Sequence, residues 1–451
     1  MKTTRQKTCR WHTLPLLYLS LLLLLALPTL VACTPGHSGS NEIAFIRNGH
    51  LWTINPDGSD AFAIVNDSPP VLSYSWSPSH QYLVYRQLDP TFASTTAGKH
   101  ISNNPLTMEP GDLPSTINTI SINGGTPMPN MFSSTNISYS NPFWNPGGDH
   151  FIYRQETLPA NSPATALWLV SQDDQPGGIA TKTLPSSYAI PSVATGTNTV
   201  VGDSAQGAFT TTLAGTNQHY LSHGSLPGHP LPATLERLLW QPAHQHPALL
   251  YAIAPPSLAA HYVQLVLRSA SGQTSTLTTC RCTQFAWAPD GNNVLYSTGS
   301  SYTILNLIHN THLTFKGESQ SIPYWSPNSQ FLLLDALHTL TLISLATGQQ
   351  HILLSDPSGA SLTEATPLPG VDTLLHPIAN TIWASDSTRF LFLTRGRKLW
   401  QGQEILSREG LYIVSITNNG QAQNKPVLVD GGNDSQAAWG YEDANTSFLF
   451  S

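Results

Sequence analysis

From residue 41 to the end of the chain, apolar residues fall in short runs that alternate with polar positions and stop at Gly, Pro, Asn or Asp. That period belongs to half-buried strands rather than to helices. One pattern heads group after group: Trp, a small or polar residue, Pro, a turn, then an alternating apolar run. It reads Trp76-Ser77-Pro78 before Tyr82-Leu83-Val84-Tyr85, Trp144-Asn145-Pro146 before Phe151-Ile152-Tyr153, and Trp240-Gln241-Pro242 before Leu249-Leu250-Tyr251. It continues as Trp287-Ala288-Pro289-Asp290-Gly291 before Val294-Leu295-Tyr296, and as Trp325-Ser326-Pro327-Asn328 before Phe331-Leu332-Leu333. Weaker copies start at Trp383 and Trp439. Two further strand-like runs lie between copies, such as 302–307 and 311–315. Each unit is therefore predicted to be four antiparallel strands, A to D, with the Trp ending strand A.

The seven tryptophans are spaced by 68, 96, 47, 38, 58 and 56 residues. The interval of 96 is about twice the 47 that follows, and residues 188–192 followed by Thr199-Val200-Val201 sit where a copy without its Trp belongs. Four-stranded units recurring every ~40–50 residues predict an all-β chain folded as a single β-propeller. Eight blades are expected, or seven if the degenerate copy forms none. The first strands, 42–47, 50–55 and 62–65, match B, C and D of a unit with no A, and the chain ends with an A strand at 436–439. One blade is thus expected to be completed from both termini, which closes the ring and removes open sheet edges. The apolar Phe448-Leu449-Phe450 competes with Ile43-Ala44-Phe45 for the same place. Within the motif the Trp is read as filling the space between blades, Pro as tolerated just past the strand, and Asp-Gly or Asn-Ser as the turn into strand B.

These Trp-Ser-Pro-Asp-Gly-like repeats, with Leu51-Trp52-Thr53-Ile54-Asn55-Pro56-Asp57-Gly58 near the start, resemble the PD40 (WD40-like) repeats of the TolB-like propeller superfamily. The resemblance covers residues 41–451. It implies the propeller fold and says little about function, because one fold hosts many functions. That superfamily includes the propeller domains of dipeptidyl-peptidase-like enzymes, but the α/β hydrolase domain those enzymes carry has no counterpart in this sequence, and neither does a Gly-x-Ser-x-Gly elbow.

The first residues depart from the strand pattern. Lys2, Arg5, Lys7 and Arg10 precede an uncharged run from Thr13 to Cys33 that closes on Leu30-Val31-Ala32-Cys33. Basic head, apolar stretch and terminal box together resemble a bacterial lipoprotein signal, with Cys33 lipidated as the mature N-terminus. An uncleaved membrane anchor is the alternative, since about 20 apolar residues suffice to span a bilayer. The expected organisation is a signal peptide at 1–32, a lipidated tether at 33–40 and the propeller at 41–451. The expected location is the extracytoplasmic side of a bacterial membrane, at the cell surface or in the periplasm, with the membrane contacted through the N-terminal lipid.

Composition narrows the functional classes. Only 10% of residues are charged, against ~25% in ordinary soluble proteins, which argues against helical bundles with their Glu/Lys-rich faces. Removing residues 1–32 leaves 15 Lys+Arg against 26 Asp+Glu, a formal −11. Nucleic acid is therefore not an expected partner.

Against that acidic background four basic residues, Arg395, Arg397, Lys398 and Arg408, gather around Trp400. This segment is the candidate binding loop for an anionic partner, with a solvated hairpin bearing local ion pairs as the alternative. Antiparallel four-stranded blades put the B–C and D–A connections on one face of the disc. The long connections at 87–115 and 395–410 are B–C, and those at 222–234 and 356–380 are D–A, so one loop-rich face is expected to carry binding. Cys280-Arg281-Cys282 is read as a possible disulfide or soft-metal pair. The close pairs His244/His246 and His309/His312 supply too few ligands for a metal site. No catalytic residue, metal or cofactor is assigned. The expected function is a protein or ligand binding scaffold, with a protein or polysaccharide as partner. The alternative is a propeller-type hydrolase or lyase acting on polysaccharide or peptide in the central channel.

Overall fold

The structure is a computed structural model that describes residues 43–440, apart from 104–112, 159–166, 172–181, 222–237, 357–381 and several shorter stretches. The signal segment, Cys33, the tether and residues 448–450 lie outside the described residues. Strands are organised in eight sheets, each built around consecutive antiparallel strands, and together they form the ring of a β-propeller. We number the blades 1 to 8, starting with the one that contains Ile43–Arg47.

Blade 6 shows how the repeat folds. Gln284–Trp287, Asn293–Thr298, Ser301–Asn306 and Thr311–Lys316 pair in chain order, with Trp287 opposite Val294. The A–B turn is held by Asp290, whose carboxylate accepts from the Asn292 N–H at 2.9 Å. Gly291 follows at φ 67°, and a Cβ there would lie 2.5 Å from the Pro242 carbonyl oxygen in the neighbouring A–B turn. The Asp-Gly turn is thus required both by its left-handed backbone and by the approach of the next blade. On strand B, Val294 packs towards blade 5 with Trp287, while Leu295 packs towards blade 7 with Trp325. Alternation along one strand therefore glues two blade interfaces.

The tryptophans join blades by more than volume. Trp287 Nε1 donates to the Leu239 carbonyl at 3.2 Å, Trp383 Nε1 to Tyr324 at 3.1 Å, and Trp439 Nε1 to Ile382 at 3.0 Å. In each case the acceptor immediately precedes the tryptophan of the previous blade. Trp76, Trp287, Trp325, Trp383 and Trp439 are all at most 2% exposed.

The degenerate copy forms a blade. Ser192–Val193, Thr199–Ser204, Gly207–Thr212 and His219–Tyr220 make the four strands of blade 4. After six of the tryptophans, the next N–H bonds back to the residue before strand B's partner position, as Ser77 does to Tyr82, Gln241 to Ala248 and Ala288 to Asn293. In blade 4 Ala194 makes the same bond to Thr199, so Val193 stands where the other copies have Trp.

Both termini complete blade 1. Asp434–Trp439 pairs with Ile43–Arg47, which is followed by His50–Ile54 and Phe62–Val65. Tyr74 of blade 2 donates its hydroxyl to the Ala44 carbonyl at 2.6 Å and also to that of Gln436, bridging strands from opposite ends of the chain. Arg47 forms ion pairs with Asp430 and Asp434 and lies over Phe45 and Trp52.

Three blades depart from the regular pattern. In blade 3, strand A is split into Ile137–Tyr139 and Phe143–Trp144. In blade 8, the described end of strand A, from Ile382, bridges Trp383 to Phe390 beside Arg389–Thr394, Gly410–Ser415 and Val427–Gly431. The blade 8 B–C connection forms a hairpin, Lys398–Trp400 with Glu404–Leu406, that adds to the sheet of blade 7 alongside Gln350–Ser355.

Candidate binding face

The B–C and D–A connections share one end of every blade, and the charged side chains of strand B collect at that end. Counting from the residue opposite the motif tryptophan, the third residue onward is Ile46 in blade 1, Arg86 in blade 2, Arg154 in blade 3 and Asp203 in blade 4. It is Ala252 in blade 5, Ser297 in blade 6, Asp335 in blade 7 and Leu393 in blade 8. Equivalent positions carry equivalent heights in a ring of like blades. The result is a circle with cations on blades 2 and 3, carboxylates on blades 4 and 7, and neutral residues between.

The cationic arc is buried. Arg86 is fully buried, and its Nε donates to the Ser115 hydroxyl at 3.1 Å, which also accepts the Tyr139 N–H at 3.0 Å. Burial brings the Arg86 guanidinium down to about 9, with Glu156 opposing that fall. Arg154, 5% exposed, pairs with Glu156. Ser73 donates to the Asn141 side chain beside this seam, linking strand A of blade 2 to the irregular strand A of blade 3. Above it the B–C connection of blade 2 carries two short helices, Pro90–Ala93 and Thr96–Asn103. Asp89 caps the first by accepting the Phe92 N–H at 2.7 Å, and Pro90 occupies the first turn where no N–H is needed.

The opposite arc is acidic and reaches solvent. Asp335 ends Phe331–Asp335 with part of its surface open to solvent, and the water lost to the protein packed around it raises its carboxyl to about 6. Lys398 lowers it and Glu318 raises it further. Tyr324 nearby is pushed well up by burial and by the Asp335 charge. Glu318 accepts a hydrogen bond from Thr339 at 2.8 Å, and Lys398 of the hairpin pairs with Asp356.

The structure distributes the residues of the candidate binding loop unequally. Arg395 lies outside the described residues. Arg397 and Arg408 are exposed. Lys398 is turned onto Asp356, and Trp400, 4% exposed, packs in the core beside Phe392 and Leu354 instead of presenting its ring to a ligand. The hairpin is thereby a strap between blades 7 and 8, tied also by Lys425 to Glu404 at 2.9 Å. Of the four long connections, 222–234 and nearly all of 356–380 fall on residues that are not described. Cys280 and Cys282 are joined by a disulfide, with Cα atoms 5.1 Å apart. Among the described residues no group of three or more His, Cys, Asp and Glu side chains is arranged to hold a metal ion.

Arg86, Arg154 and Asp335 escape a search for local motifs, but they leave a trace. Tyr85-Arg86 and Tyr153-Arg154 repeat at the same offset from their tryptophans, and Asp335 interrupts an apolar run at that offset. A charge at a fixed place in otherwise apolar strands is the signal that finds them.

No family model matches the chain, and no curated protein matches it. Solved structures similar to it include a eukaryotic initiation factor, 8% identical with TM-score 0.48, covering 89% of this chain and 99% of that one. An oligogalacturonate lyase in complex with manganese is 12% identical with TM-score 0.46, covering 84% of this chain and 97% of that one. TolB from Acinetobacter baumannii is 12% identical with TM-score 0.35, covering 87% of this chain and 79% of that one. At such scores and identities these similarities carry no functional argument, and the propeller is read from the strand order itself.

Proposed function

We propose that this protein is a lipid-anchored, extracytoplasmic β-propeller that binds another macromolecule, a protein or a polysaccharide, through the face bearing its B–C and D–A connections. The observation that carries the reading is the circle of strand B residues, where Arg86, Arg154, Asp203 and Asp335 occupy one height. Buried charge costs folding energy, and its gathering at the end that bears the B–C and D–A connections supports recognition at that end. A partner with separated anionic and cationic or hydroxyl-rich regions matches its divided polarity. The lipobox supports the anchor: replacement of Cys33 by Ser is expected to move the protein from the membrane to the soluble fraction, and retention in the membrane would remove that part of the reading. Binding is tested by capture from solubilised membranes with the native chain and with Asp335→Asn combined with Arg397→Ala and Arg408→Ala. Loss of the same captured species supports the face; an unchanged set excludes it.

Asp335 also favours a second reading. A carboxyl raised to about 6 beside a buried tyrosine is suited to general acid–base chemistry on a polysaccharide or peptide. Release of reducing ends or new amino termini from candidate polymers, abolished by Asp335→Asn, would support a hydrolase or lyase over a pure binder.

A further inference from the structure

We propose that the propeller lies with its A–B and C–D turns against the lipid bilayer, so that the loop-rich face opens to the aqueous side and takes a partner not embedded in the same membrane. Resting on the lipid anchor at Cys33 proposed above, this orientation follows from where the chain joins the disc. The first described strand begins at Ile43, which pairs with Trp439, the last residue of an A strand. Trp439 ends its strand as Trp76, Trp287 and Trp325 end theirs, at the A–B side of the blade. The segment from Cys33 therefore reaches the propeller on the short-turn face, a full strand away from the B–C and D–A connections.

The length of that segment limits what the disc can do. Ten chain steps separate Cys33 from Ile43, and fully extended they reach at most about 36 Å. The D strands form the rim, since Thr274–Cys280 is largely exposed whereas the A strand Gln284–Trp287 is largely buried. From Ile43 the way round to the other face passes two strands outward, about 10 Å, and then the depth of a six-residue strand, about 20 Å. That route uses nearly the whole reach of a straight chain before it clears the connections on the far face, among them Pro90–Ala93 and Thr96–Asn103. The near face needs none of it. Its A–B turns are also short, closing from Ser77 to Tyr82, Ser326 to Phe331 and Ala384 to Arg389.

Apolar exposure points the same way. Among the described large apolar side chains, Ile308 at 65% and Val427 at 58% are the most exposed. Ile308 lies in the C–D turn of blade 6 and Val427 begins strand D of blade 8, both at the short-turn end. Charge acts in the opposite sense. Exposed Arg281, Lys316, Arg397 and Arg408 stand at the loop-rich end, and exposed Asp57, Asp60 and Asp386 at the short-turn end. An anionic lipid surface would draw the basic end towards itself, but a tether of this reach holds that end away. Those cations are left for a partner that arrives from the aqueous side.

The test uses the full lipidated chain in vesicles. Beyond Cys33 the mature chain has only Cys280 and Cys282, which are joined to each other, so one introduced cysteine labels one site. Ser300→Cys and Ile308→Cys lie beyond the two ends of Ser301–Asn306 in blade 6, and Thr126→Cys lies in the C–D turn of blade 2 across the ring. All three positions are exposed. Energy transfer to a headgroup acceptor in phosphatidylcholine vesicles is expected to place the Ile308 and Thr126 labels equally near the lipid surface. The Ser300 label is expected about 20 Å further away, the depth of the strand between, and the order should survive addition of anionic phosphatidylglycerol. A Ser300 label as near as the Ile308 label, on protein that floats with the vesicles, overturns the orientation and leaves the anchor intact. Unequal distances at Ile308 and Thr126 overturn it too, because the disc then stands on its rim. Protein that does not float removes anchor and orientation together. Inserting about 20 Gly/Ser residues after Ser40 adds roughly 70 Å of reach and is expected to shrink the difference; a difference that persists overturns the tether as its cause.

Discussion

Blades 6 and 8 begin with the same kind of motif and end as different structures. In blade 6, Trp287-Ala288-Pro289-Asp290-Gly291 closes a tight turn and four strands pair in order. In blade 8, Trp383-Ala384-Ser385-Asp386 makes the turn, and the B–C connection leaves the blade to extend its neighbour. Both tryptophans are buried and both donate to the previous blade. What differs is where the B–C connection goes. In both blades the indole N–H ties the blade to its predecessor whatever that connection does, because its acceptor is a carbonyl beside the previous tryptophan.

Substitution of the two tryptophans tests this most severely. Trp287→Ala and Trp383→Ala are each expected to cost about 3–5 kcal/mol in denaturant unfolding, the range for deleting a large buried aromatic. Hydrogen exchange should then separate them, with openings confined to the 5–6 interface for Trp287 but reaching Arg389–Thr394 and the hairpin for Trp383. A loss below ~1 kcal/mol in Trp383→Ala would mean that other contacts seat blade 8.

The hairpin supplies the next test, because it is what blade 8 has and blade 6 lacks. Lys398→Met keeps the apolar stem and removes the charge facing the buried Asp356. A stability loss of about 2–3 kcal/mol is expected, since one partner of a largely buried pair remains. Adding Asp356→Leu should recover most of it, and a double variant no better than the single would show that the pair is not what docks the strap.

Smaller effects follow from the exposed groups nearby. The folded chain holds the Asp335 proton up to about pH 6, whereas an unfolded Asp releases it near ~4. Between those values the folded state binds more protons, so this contribution to stability is greatest below about pH 4 and is lost as pH rises through about 6. Asp335→Asn should flatten that decline in unfolding measured across the window; an unchanged slope would assign the pH dependence elsewhere. Lys425→Ala removes an exposed pair with Glu404 and should shift stability by no more than ~0.5 kcal/mol.

Much of the architecture is legible residue by residue. Trp, Pro and a turn mark the end of strand A in five copies, and the copy without a Trp is placed by the interval of 96 together with residues 188–192 and Thr199-Val200-Val201. The last strand spans Asp434–Trp439, starting two residues before the expected 436. The binding loop is less legible. Its charge cluster reads as a free basic hairpin, but Trp400 finds Phe392 and Leu354, and Lys398 finds Asp356, 42 residues earlier. Leu354 and Asp356 are both more than 40 residues away along the chain, so no local pattern announces them.

The amino-acid sequence alone therefore determined the four-strand repeat, its strand order and the expected joining of the two ends, because period, turn chemistry and the spacing of tryptophans are written within each repeat, whereas the choice of eight blades over seven came from the degenerate copy pairing as blade 4. Tertiary structure alone decided which charges meet. Ring closure brings Arg86, Arg154, Asp203 and Asp335 to one height, and sheet extension carries a loop of blade 8 onto blade 7. Both depend on pairings between distant segments, whose energies come from burial and contact rather than from any neighbour along the chain.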